Sequence, residues 1–153
     1  MFDPSVQLAG DLGDCAEDVR RVFRELEQQH PAGCPALAGE CSTELDVFET
    51  ADLYQVVVDL PGVAPDSLRV LIKRGVLIVA GEKLSPPSAP AGARFHLAER
   101  NFGRFARAVR LPGAIEISRA HARLHRGELT ITVPKIEERR GRPVPIAIQA
   151  DPS

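Results

Sequence analysis

The spacing of apolar residues changes once along this chain. Early on, Val19, Val22, Phe23 and Leu26 recur at i, i+3, i+4 and i+7, which places them on one stripe of a helix. Residues 14–29, DCAEDVRRVFRELEQQ, are therefore predicted helical. Asp14 is suited to cap the first turn, with Glu17 three residues on as its partner. Pro31 biases His30 away from helix and marks the end. The stripe is narrow, and a short isolated helix is marginal in water. It must lean on something, either its own domain or another molecule.

A Pro/Gly/Ala linker, HPAGCPALAGECS, follows, and the period then becomes two. LDVFE, LYQVVVDL, LRVLIK and VLIVAGE are short β-branched runs separated by TAD, PGVAPDS and RG. Such spacing predicts antiparallel strands with tight turns, and hence a sandwich. Leu68, Val70 and Ile72 share one face of their strand while Arg69 and Lys73 point away. Pro61 and Gly62 stop the strand before it. Beyond KLSPPSAPAGA, basic residues alternate against Phe102, Phe105, Val109 and Leu111. The stretch between Lys83 and Gly103 is too long for a hairpin turn, and it carries a small apolar strand of its own around Phe95 and Leu97. Two further strands are expected in ISRAHARLHRG and ELTITVPK. After the charged run IEERRGRP, the residues Val144, Ile146 and Ile148 alternate like a strand that buries one face. That strand needs a neighbour.

Composition narrows what the chain does. Its 153 residues suit one domain with short extensions, 44% are hydrophobic, and the formal charge is −2, which points to neither nucleic acid nor an acidic membrane. No apolar run approaches the roughly 18 residues of a membrane span. The start lacks a basic region followed by an apolar stretch, so the expected compartment is the cytoplasm. Cys15, Cys34 and Cys41 form no disulfide framework. His30, Cys34 and Cys41 fit no common zinc spacing, so neither metal nor cofactor is expected. The chain contains no GxSxG elbow, Walker loop, GxGxxG or HExxH, and no enzyme is expected. His121 and His125 fall in a predicted strand and turn, where a spacing of four does not align them as ligands. Arg100, Arg104, Arg107 and Arg110 sit among apolar residues at strand spacing and read as a solvated face or an interface rather than a phosphate site.

Four segments in order resemble the small heat shock protein, or alpha-crystallin domain, family. DLPGVAPDSLRVLIKRGVLIVAGEK is similar to the first half of that domain, and ERNFGRFARAVRLPGAI to the strand and turn that follow. ARLHRGELTITVPK resembles the segment closing on proline and lysine, and VPIAI the C-terminal I/V-x-I/V motif. Glu128 stands where valine is usual and Arg126 where asparagine is common, so a slightly altered turn on an unchanged fold is expected. The resemblance implies an all-β, immunoglobulin-like sandwich of seven or eight strands with a partly helical N-terminal arm over residues 1–41. The sandwich would occupy 42–137 and an extended C-terminal tail 138–153. It also implies an ATP-independent holdase that binds unfolding client proteins as a homo-oligomer built from dimers; the alternative is an adaptor or co-chaperone on a similar sandwich. On this reading Val144 and Ile146, or Ile146 and Ile148, dock on a neighbouring subunit in a groove lined by Val70, Ile72, Ala122 and Leu124. Phe95 and Leu97 belong to a loop exchanged between dimer partners, and Arg107 joins a charge pair at that interface. The stripe Val19, Val22, Phe23 and Leu26 packs in the assembly and meets clients.

Overall fold

Helix α1 spans Ala16–Gln29 in the computed structural model, which describes residues 15–29, 41, 43–86 and 89–136. Seven strands follow: β1 (Leu45–Glu49), β2 (Leu53–Asp59), β3 (Leu68–Lys73), β4 (Val76–Lys83), β5 (Gly103–Arg110), β6 (His121–His125) and β7 (Glu128–Pro134). All their pairings are antiparallel. They form one sheet in the order β1-β2-β7-β6 and another in the order β3-β4-β5. The period-two runs explain this layering. In β2, Tyr54, Val56 and Val58 are buried while Gln55 and Val57 are only half-buried. These residues meet Leu77 and Val79 of β4, Phe105 and Val109 of β5, and Leu129, Ile131 and Val133 of β7 in one core between the sheets. Each large apolar side chain enclosed there contributes about 1.5–3 kcal/mol. The Tyr54 hydroxyl donates to the Pro112 carbonyl at 2.8 Å, so the phenol enters the core without an orphaned donor.

Both hairpins written RG in the sequence turn on two residues with positive φ. Arg74 and Gly75 have φ of 52° and 74°, and Arg126 and Gly127 have φ of 51° and 80°. That geometry matches the twist of the flanking strands but favours asparagine over arginine in its first position. The ladders nevertheless run without a break to Lys73↔Val76 and His125↔Glu128, so the fold is intact around both turns.

Two expected strands come out differently. Ile117–Arg119 is a short 3-10 turn, and β6 begins only at His121. Local bonding wins there: the Arg119 N–H donates to the Glu116 carbonyl and the Ser118 hydroxyl to the Glu116 carboxylate. No strand forms in the described residues between Lys83 and Gly103, and Phe95 and Leu97 stand 79% and 73% exposed. A strand needs a ladder partner, and the described residues present none to this segment.

Cys41, the last residue assigned to the arm, packs into the sandwich core, and its N–H donates to the Arg104 carbonyl at 3.2 Å. The chain thus enters the sandwich beside the outer edge of β5.

Candidate functional site

Among the described residues four strands, β1, β6, β3 and β5, have a neighbour on one side only, and the expected groove residues lie on two of them, β3 and β6. An edge strand offers a row of unpaired N–H and C=O groups to another chain. Val70 and Ile72 on β3 and Leu124 on β6 are half-buried against the shared core, so apolar surface accompanies both edges. Ala122 stands opposite the buried Ile131 in the ladder, yet it is exposed, because its single methyl does not reach across the edge. These four residues form the expected groove lining, three seated on the core and one outside it. Val144, Ile146 and Ile148, assigned to fill it, lie outside the described residues.

The Arg107 guanidinium donates to the backbone carbonyl of Thr43 within its own chain. It therefore holds the strap entering the sandwich, while Phe95 and Leu97 remain outside the core. His30 and Cys34 lie outside the described residues; Cys41 is a free thiol inside the core. Among the described residues no group of three or more His, Cys, Asp or Glu side chains is arranged to hold a metal ion.

A second apolar layer lies on the outer face of β3-β4-β5. Val19, Val22 and Leu26 of α1 pack on Val76, Ile78, Ala80 and Ala108, with Phe23, Leu71 and Ala106 at the rim. Of the two settings open to the stripe, the single chain adopts the one on its own domain. The sign in the sequence was the unbroken run Val76–Ala80, in which all five residues are buried. Strands covered on both faces read as continuous apolar runs, whereas half-covered ones alternate. Paired charges border this contact. Asp18 accepts from Lys73 at 2.9 and 3.0 Å and from Arg21 at 2.9 Å. Toward the other end Arg104 pairs with Glu27 and lies 5.1 Å over the Phe23 ring.

The hydrogen bond from Lys73 holds the Asp18 carboxyl below its ordinary value of 3.8; burial opposes this, and the charges of Lys73, Arg21 and Arg74 reinforce it. A lowered carboxyl pKa stabilises the docked helix at pH above 3.8, and that stabilisation is lost as pH falls through the lowered value. The protection of α1 amides, measured relative to their intrinsic exchange rates, is therefore expected to fall in acid more than that of β7. Asp18→Asn should remove this extra acid sensitivity; an unchanged acid response in the variant would assign it to other carboxylates.

Comparison with known proteins gives a consistent set. A model described as Hsp20/alpha crystallin family matches residues 46–149. The chain is 40% identical over 137 residues to the 21.9 kDa heat shock protein of Oryza sativa subsp. japonica, which covers 78% of this chain but only 66% of that protein. It is 33% identical over 141 residues to the 16.9 kDa class I heat shock protein 1 of Triticum aestivum, covering 92% of this chain and 88% of that one. Heat shock protein 16.0 from Schizosaccharomyces pombe superposes with a TM-score of 0.59 at 34% identity, over 71% of this chain and 99% of that structure.

Proposed function

The chain belongs to the Hsp20/alpha crystallin family, and from that premise we propose that it is an ATP-independent holdase, which binds partly unfolded proteins and delays their aggregation. The observation that carries this reading is that β3 and β6, two of the four edge strands in the described sheets, each have half-buried apolar side chains beside them. Such edges take up an extended apolar segment by strand addition, with backbone bonds giving affinity and alternate side chains filling pockets. The chemistry needs no nucleotide, metal or catalytic group. The same reading places the working compartment in the cytoplasm. Among the described residues no helix is long and apolar enough to cross a membrane.

The working form is a homo-oligomer built from dimers. The exposed Phe95 and Leu97 belong to a segment that gains a ladder by pairing with a partner subunit, and Arg107 lies at that interface. Val144, Ile146 and Ile148 supply the tail that fills a neighbour's groove. Ordering such a tail opposes docking by about 1–2 kcal/mol per residue of backbone, so one contact is weak and reversible. Many contacts in one particle reinforce each other through effective concentration.

The test is light scattering of heated malate dehydrogenase at equimolar chain, with no nucleotide present. Scattering is expected to fall well below that of the client alone. Client aggregation that proceeds unchanged across a range of temperatures would overturn the reading.

A further inference from the structure

The contact between α1 and the outer face of β3-β4-β5 has the form of a ligand seated in a site. The face offers an apolar strip, Val76, Ile78, Ala80 and Ala108, bordered by Lys73 on β3 and Arg104 on β5. The occupant answers with an apolar stripe between two acids, Asp18 and Glu27. Helix and strip form an apolar layer separate from the sandwich core, whose own residues lie between the two sheets. The helix is joined to the sandwich only through residues 30–40, which follow Gln29 and precede Cys41. We infer that this face is a docking site for amphipathic helices with an apolar stripe flanked by acidic residues, and that α1 is its built-in competitor.

The inference rests on the holdase reading and gives it a second kind of client segment. One-sided edges take extended chain, whereas this face takes helices that have left their own cores. The charges make the choice selective, because a helix with lysine in place of either acid brings like charges to Lys73 or Arg104. Tethering sets the resting state. A segment held by so short a connection has an effective concentration on the order of millimolar, so α1 excludes dilute helices until something displaces it.

The probe is a fluorescein-labelled peptide of residues 14–29 carrying Cys15→Ser, followed by anisotropy against the full chain. Val22→Asp with Leu26→Asp removes the competitor's stripe and leaves every sheet residue in place. This variant is expected to bind the peptide about tenfold or more tightly than the unaltered chain, since affinity scales with the fraction of sites left open. Adding Lys73→Glu and Arg104→Glu should weaken that binding about tenfold, and a peptide with Asp18→Lys and Glu27→Lys should restore it. Equal peptide binding by the opened and unaltered chains, or indifference to the charge exchange, overturns the inference.

Circular dichroism establishes that the opened chain is folded. If it is not, Asp18→Lys with Glu27→Lys in the full chain loosens the helix without touching the stripe, and the same binding gain is expected. If both variants unfold, α1 is an obligate part of the domain and the inference fails. The two readings separate cleanly. An opened chain that ignores the peptide yet still suppresses malate dehydrogenase scattering sinks the helix site alone. Peptide binding without suppression sinks the holdase reading and leaves a helix-docking face.

Discussion

Gly81→Ala is expected to destabilise the sandwich by about 3 kcal/mol, at the upper end of what one added methyl does in a packed core. Gly81 lies on β4 opposite Phe105 in the ladder. A Cβ at this position would lie 2.5 Å from the Ser67 carbonyl oxygen and 2.8 Å from Cζ of Phe105. The Phe105 ring is buried and has little room to retreat. The Ser67 oxygen is backbone, in the short turn Pro65–Ser67 that leads into β3, so relief requires the turn and β3 to move. Because β3 carries Val70 and Ile72, any such movement also disturbs one wall of the expected groove. Thermal unfolding should shift down by roughly 10 °C, given the usual entropy of unfolding for a domain of this size. A melting point within about 2 °C of the unaltered chain would show that the close approach is relieved at little cost.

Replacing Ile146 and Ile148 together by Ala is expected to reduce the proposed oligomer to small species, dimers above all, with the sandwich still folded. Each buried isoleucine contributes about 1.5–3 kcal/mol, and alanine retains little of it. Proline restricts the backbone states open to an undocked segment, so Pro143 and Pro145 are expected to lower the ordering term. Loss of both plugs therefore leaves little beyond the backbone bonds to offset the ordering term. Native mass spectrometry reports the assembly, and circular dichroism the fold. A double variant that stays large would show that the N-terminal arm, and not the tail, holds the particle together.

How far these surfaces could be read from the chain differs from one to the next. In LRVLIK alternation set Leu68, Val70 and Ile72 on one face, and these three lie in or against the core between the sheets. The arginine–glycine pairs marked both hairpin turns, and both turns stand where they were read. The stripe on α1 was equally plain, but its partner was not. An amphipathic pattern states that a face must be covered and carries no address for what covers it. The unbroken Val76–Ala80 run held half of that address, since a strand buried on both faces needs a second layer. Phe95 and Leu97 show the reverse case. Their alternation reads as a strand, yet among the described residues no ladder reaches them and they stay exposed.

The sequence alone determined the elements whose evidence is local: strand period, turn residues, the helical stripe, and the family segments in their order. Local terms suffice there, because periodicity and turn torsions act within a few residues. The tertiary structure decided which surfaces face each other: the helix on the outer face of β3-β4-β5, the Asp18–Lys73 and Glu27–Arg104 pairs, the seat of Cys41 in the core, and the close approach at Gly81. Each joins residues far apart in the chain, and burial is a property of the assembled layers. The apolar drive that closes them is non-directional, so it requires that a stripe be covered without naming the cover. Only shape and charge on the opposing surface select it.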